Sequence, residues 1–216
     1  PDDHASDVRP ENGHAPEDKL ILQPPRIVPR KGIQYAIALL QMLGNPRYKL
    51  VVAHEAGDEG MEYRDVLAAE AKRLGVDMRF FSTRVTETRQ TTLDGKKTYT
   101  LWDIYPHADF VTYPSLYEGF GNAFLEAIYF KKPLLVNRYG VFARDIEPRG
   151  FRVPIMEGFL SQDVVAEVRR LIDDQDYRRE TVEHNYAVAA RHYGYGVLRA
   201  RLNLLLAHIR GLPELV

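Results

Sequence analysis

Two carboxylates flank a glycine-rich turn in the stretch Tyr113-Pro114-Ser115-Leu116-Tyr117-Glu118-Gly119-Phe120-Gly121-Asn122-Ala123-Phe124-Leu125-Glu126. Gly119 and Gly121 free the backbone to approach a ligand, and the helix that starts near Gly121 or Asn122 turns its first amides toward an anion. Asn122 and Glu126 are four apart and share a helix face. One carboxylate therefore falls on each side of an anion held at the helix end. Carboxylates accept hydrogen bonds from hydroxyls, so the layout suits a phosphate flanked by hydroxyl-bearing groups, as in a nucleotide sugar. Taken alone, the two acids read better as a surface loop acid and a complement to the helix macrodipole; the G-x-G between them and the strand–loop–helix setting bring the two readings nearer to even.

A second polar cluster is Gln23-Pro24-Pro25-Arg26-Ile27-Val28-Pro29-Arg30-Lys31-Gly32. Three prolines stiffen it. Arg26, Arg30 and Lys31 bring positive charge to one strand end, with Lys31 where a helix begins. A cation is misplaced there by a few tenths to roughly 1 kcal/mol unless an anion binds beside it. A solvated basic loop is the default reading of this stretch taken alone.

Both loops follow short apolar runs. Leu20–Leu22, Leu50–Ala53, Met78–Phe81, Phe110–Tyr113 and Leu134–Val136 alternate with segments of helical period. Continuous apolar strands with helices between them predict a doubly wound, Rossmann-like parallel sheet covered on both faces. Such sheets bind ligands beyond the carboxyl ends of their strands, where both loops lie. Residues 161–210 read as C-terminal helices, with Leu198, Leu202, Leu205 and Ile209 forming one apolar face. Residues 82–97 form a polar stretch of the length that is usually functional or mobile. Residues 1–18 are acidic and nearly devoid of apolar residues, which reads as a flexible linker preceding a domain over 19–216.

The segment PSLYEGFGNAFLEAIYFKKPLLV resembles the E-x(7)-E motif of the retaining GT-B glycosyltransferases, specifically family 4 (group 1). ILQPPRIVPRKGI is similar to that family's first strand and phosphate loop, and LWDIYPHADFVTYPS to the elements before the motif. The resemblance implies the donor-binding, C-terminal domain of an enzyme that moves a sugar from a nucleotide diphosphate sugar to an acceptor. It implies Glu118 on sugar hydroxyls, Glu126 on the ribose, and Arg26 and Lys31 on the diphosphate. It places the amides of Phe120, Gly121 and Asn122 on phosphate or sugar, and the base near Ser82 to Arg84. Three places depart from the family pattern: Pro25 before the arginine, Ala53-His54-Glu55-Ala56-Gly57 after the second strand, and Arg138-Tyr139-Gly140-Val141-Phe142 in place of paired glycines. The last bears on sugar identity. The family's acceptor-binding N-terminal domain is missing, so no transfer is expected from this chain alone.

The wider composition narrows the alternatives. With 45% hydrophobic and 27% charged residues the chain is neither disordered nor collagen-like. It has no cysteine, which excludes thiolate chemistry, and its net charge of −1 argues against a general nucleic-acid binder. No apolar run approaches the ~20 residues that span a bilayer, and the arginines at 191, 199, 201 and 210 read as a solvated face rather than a membrane contact. A cytoplasmic setting is expected. Pro1 in first place reads as the start of a fragment. No metal site or cofactor is expected, since Arg26 and Lys31 can stabilise the phosphate charge without a divalent ion. A nicotinamide oxidoreductase is opposed by the absence of G-x-G-x-x-G and by Asn137, rather than an acid, after the fifth strand. A non-catalytic nucleotide-sugar-binding module and a GT-B epimerase or phosphorylase remain as alternatives.

Overall fold

The computed structural model describes residues 2–53, 61–81, 84–92 and 95–209. Among the described residues there are eight strands: β1 (Lys19–Gln23), β2 (Tyr48–Val52), β3 (Met78–Phe80), β4 (Gln90–Thr91), β5 (Lys97–Thr98), β6 (Phe110–Tyr113), β7 (Leu134–Asn137) and β8 (Ile155–Met156). Six of them form one sheet in the order β3-β2-β1-β6-β7-β8, and every pairing in it is parallel. Ile21 stands opposite Phe110, and Val111 opposite Leu134. The strands are apolar at consecutive positions because both faces are covered. Leu20, Leu22, Val51, Val111 and Val136 point into one buried cluster, whereas Ile21, Leu50, Val52, Phe110 and Leu135 point into the other.

Helix α1 (Val8–Glu11) precedes the sheet, and α2 (Ile33–Leu43), α3 (Met61–Arg73), α4 (Leu101–Ile104) and α5 (Asn122–Tyr129) alternate with its strands. Ile33, Ala36, Ile37, Leu40 and Leu43 bury the predicted stripe of α2, which ends at Gly44 in the left-handed conformation that closes a helix without a Cβ penalty. Phe124, Ala127 and Ile128 bury α5 on the opposite face of the sheet. Three helices follow: α6 (Gln162–Asp173), α7 (Gln175–Tyr193) and α8 (Tyr195–Ile209). Ser161 and Asp174 cap α6 and α7 through the amides of Val164 and Tyr177, at 3.2 and 2.9 Å. Leu198, Leu202, Leu205 and Ile209 of the predicted face fall on α8, but no residue of α8 is buried.

Residues 2–18 differ from the flexible linker expected of them. Ala5 and Val8 enter the core, and Arg9 meets Asp109 at 2.5 Å. The acids of this segment are ion-pair partners for the basic stretch after β3: Asp2 with Arg89 (2.6 Å), Asp7 with Lys97 (2.7 Å) and Glu11 with Arg84 (3.0 Å). Within the polar stretch, β4 pairs antiparallel with β5 at its end. Complementary charge 70 or more residues away supplied what the local composition lacked.

Candidate functional site

The strand order reverses between β1 and β6, and the loops that leave these two strands face each other there. A cleft of 440 Å³ opens between them, lined by Pro24, Pro25, Arg26, Arg30, Lys31, Leu101, Tyr113, residues 118–123 and Glu126. That volume lies in the range of small-molecule sites.

Glycine fixes how closely the two loops approach. Gly32 has φ +65°, and a Cβ there would lie 2.3 Å from the Pro114 carbonyl oxygen. The Leu116 amide donates to the Arg30 carbonyl at 2.8 Å, so the loops are tied backbone to backbone. Gly121, at φ +95°, caps α5, and a Cβ on it would meet the Tyr113 and Tyr139 hydroxyls at 2.5 and 2.8 Å. The Tyr139 hydroxyl donates to the Phe120 carbonyl at 2.7 Å. Asn137, buried at the end of β7, donates to the Ser115 carbonyl at 3.0 Å and accepts from the Gly158 amide at 2.9 Å. Gly119 differs from these glycines, since a Cβ there would meet nothing within 4 Å.

Within this frame Glu118 is held by two cations. Its Oε1 accepts from Lys31 Nζ, and its Oε2 from Arg30 Nη1 at 3.2 Å. Arg30 also lies over the Tyr117 ring, 5.6 Å from its centroid. Burial pushes the Glu118 carboxyl up, but the Lys31 ammonium together with the Ser115 and Tyr113 hydroxyls holds the group below its usual range. Burial, and then the Glu118 charge, raise the phenols of Tyr113 and Tyr139. Glu126 accepts from the Tyr105 hydroxyl at 3.0 Å. Tyr105 is fully buried, and its phenol is pushed well up by burial and then by the Glu126 charge. Arg26 is exposed at the cleft and makes no side-chain hydrogen bond or ion pair among the described residues. No side chain caps the start of α5.

The structure brings Arg26, Lys31, Glu118, Phe120, Gly121, Asn122 and Glu126 to one cleft. Arg84 does not line the cleft; its Nη2 donates to Glu11 at 3.0 Å. Ser82, like the turn at 54–57 and Arg210, lies outside the described residues. Sequence reasoning missed the roles of Arg30, Leu101 and Tyr105 in forming the site. Arg30 was visible as a third charge of its loop, but its bond to Glu118 spans 88 positions and leaves no local signal. Among the described residues, no group of three or more His, Asp or Glu is placed to hold a metal, and no helix is long and apolar enough to cross a membrane.

Sheet order, switch-point cleft and C-terminal helices place the chain among the Rossmann-like α/β domains of GT-B architecture. Residues 5–188 match the family Glycosyl transferases group 1, and the chain belongs to it. The curated mannosylglucosylglycerate synthase of Thermotoga maritima is 34% identical over 215 residues, covering 86% of this chain and 48% of its own length. The enzyme of that name from Petrotoga mobilis is 34% identical over 154 residues, covering 63% of this chain and 35% of its own. The chain thus spans about half the length of the first of these relatives. Among solved structures, Anabaena HepE in complex with UDP and glucose superposes with a TM-score of 0.77 at 17% identity, over 96% of this chain and 53% of that one. The C-terminal domain of the group 1 protein LpcC from Francisella tularensis gives 0.65 at 21% identity, over 90% and 95%. These structural likenesses are likenesses of fold.

Proposed function

We propose that this chain is the donor-binding half of a retaining glycosyltransferase, and that its cleft takes a nucleotide diphosphate sugar. The observation that carries the reading is the meeting in one cleft of three cations, a helix N-terminus without a side-chain cap, and a carboxylate on either side of that terminus. In this reading Arg26 and Lys31 hold the diphosphate, and the amides of Phe120, Gly121 and Asn122 complete its cradle. Glu118 accepts from hydroxyls of the transferred sugar and Glu126 from the ribose. HepE carrying UDP and glucose on the same fold, and sugar-transferring enzymes among the curated relatives, support the class of ligand.

The chemical work of the basic loop is electrostatic. As the glycosidic bond breaks, negative charge grows on the leaving diphosphate. Donors already gathered at the cleft stabilise that charge as it grows. Three cationic side chains can do this with no cofactor. The acceptor is taken to bind against a further domain, so transfer requires that partner.

Titration calorimetry with uridine, guanosine and adenosine diphosphates tests the reading. Glu126→Ala weakens nucleotide binding by about 1.5–3 kcal/mol, the worth of hydrogen bonds to a charged group. Arg26→Ala lowers diphosphate affinity more than nucleoside affinity. Unchanged affinity in the first variant, or equal losses in the second, refutes the assigned roles. With the partner half present, proton NMR of the product must show the anomeric configuration of the donor retained.

A further inference from the structure

We propose a second binding site, for a small phosphate-bearing anion, at the edge of the sheet opposite the cleft. The cleft follows the carboxyl ends of β1 and β6. At the other edge, Asp109 immediately precedes β6 and Pro133 immediately precedes β7. A cavity of 270 Å³ lies there, lined among others by Arg9, His107, Asp109, Lys131, Lys132 and Arg178.

Its charges do not balance. Asp109 is the one acid of the lining, and its oxygens are already taken by Arg9 (2.5 Å), Lys19 (3.5 Å) and the Leu20 amide (2.9 Å). Lys131 is committed to Glu183 at 2.8 Å. Lys132 and Arg178 have no carboxylate partner among the described residues. Each donates to one backbone carbonyl, Lys132 to Pro106 and Arg178 to Ile172, both at 2.8 Å. The His107 Nε2 is buried with no hydrogen-bond partner among the described residues. Burial pushes the Lys132 ammonium down to about 8; Asp109 opposes this, while Arg178 and Arg9 add to it.

A bland account exists for the two bonds. Arg178 reaches the last turn of α6, and cations at helix C-termini offset the macrodipole. That account uses one donor of each group. An ammonium carries three donors and a guanidinium five, so most remain open. One carbonyl also does not neutralise a partly buried cation. A tetrahedral dianion accepts from several directions at once and matches a guanidinium fork and an ammonium together. At roughly 30 Å³ per water, the cavity has room for about nine waters, or for a phosphate with a body of a few carbons.

The test is a titration of the ¹⁵N-labelled chain with sodium phosphate, against sodium chloride at matched ionic strength. Backbone amides of Ala108, Asp109, Lys132 and Arg178 report on the cavity, and those of Gly119, Gly121 and Asn122 on the cleft. Expected are saturable phosphate shifts in the first group that persist in Arg26→Ala and weaken roughly ten- to hundred-fold in Arg178→Gln, while UDP shifts in the second group are unchanged in Arg178→Gln. Should that variant unfold by circular dichroism, Arg178→Lys, which keeps the charge and loses the fork, is expected to weaken binding by a smaller factor. Glycerol phosphate in place of inorganic phosphate distinguishes the sources: tighter binding marks an organic ester as the ligand, and equal binding marks the free ion. Absence of saturable shifts at the cavity, or an equal response to chloride, overturns the proposal. Failure of the cleft to respond to UDP would sink the donor reading and leave this site standing.

Discussion

Glu118→Gln separates two quantities that the cleft ties together. In the empty site the carboxylate serves as the anion of the basic loop, bonded to Lys31 and Arg30. The Glu118 and Lys31 side chains are 9% and 12% exposed, that of Arg30 39%. Removing one partner of a buried pair costs about 3–5 kcal/mol. The glutamine carbonyl still accepts from Lys31 and some water reaches the ammonium, so about 1.5–3 kcal/mol is expected from urea denaturation at pH 7. Because the folded carboxyl is held below its usual range, its contribution is complete above the unfolded value of about 4.3 and is lost as pH falls through the folded one. The stability gap between wild type and variant is therefore flat from about pH 6 to 8 and closes below about pH 4.

Affinity moves the other way. A carboxylate about 6 Å from a bound phosphate, at an effective dielectric of about 20, repels it by roughly 3 kcal/mol, and water in an open cleft reduces this to about 1–2. Inorganic pyrophosphate, measured by calorimetry, therefore binds the less stable variant about 5- to 30-fold more tightly. A nucleotide sugar gains less than the bare nucleotide, because the acceptor for its sugar hydroxyls has lost its charge. Stability unchanged, or pyrophosphate bound more weakly, would refute the idea that Glu118 and the ligand compete for the same cations.

Other substitutions probe the frame. Gly121→Ala combines left-handed strain with contacts at 2.5 and 2.8 Å and is expected to cost about 2–4 kcal/mol by thermal denaturation, whereas Gly119→Ala, with open space, stays within about 1 kcal/mol. Tyr105→Phe removes a donor from Glu126 and should lower stability by about 0.5–1.5 kcal/mol and nucleotide affinity by a few-fold; a loss of stability alone would detach Tyr105 from the site. Val8→Ala deletes methyls from a fully buried position and is expected to cost about 1–2 kcal/mol in urea. No change there would mean that residues 2–18 are not docked.

What the sequence disclosed follows the range of the interactions involved. The sheet was legible because strands covered on both faces carry consecutive apolar residues, as in Leu20–Leu22 and Leu134–Val136. The α5 loop was legible because strand, glycines, helix and both acids lie within a short stretch of chain. The N-terminal segment was not, since Asp7 finds Lys97 and Arg9 finds Asp109 some 90 and 100 positions away. The pairing of Arg84 with Glu11 was hidden for the same reason, since Glu11 precedes the whole sheet. The helix of α8 could be read from period alone, but its lack of burial could not, because period fixes a face and not what covers it.

The departure at residues 138–142 acquires a physical sense once the phenols are placed. Where the family pattern has small residues, Tyr139 is buried and its hydroxyl fixes the Phe120 carbonyl, next to the glycine that caps α5. In the proposed cradle of the Phe120, Gly121 and Asn122 amides, the bond from the Tyr139 hydroxyl to the Phe120 carbonyl would restrict the backbone that the glycines leave free. The same packing sets a limit, since Gly121 is held between Tyr113 and Tyr139 and no larger residue fits between the two hydroxyls. Glycine and tyrosine thus act as one unit here. The aromatic residue restricts the backbone freedom that glycine supplies, and the helix start is delivered to the cleft in a single orientation before any ligand arrives. Pre-orientation of this kind lowers the cost of ordering on binding. It also makes the position of Glu118, three residues before Gly121, a consequence of packing beneath the loop as much as of its own ion pairs.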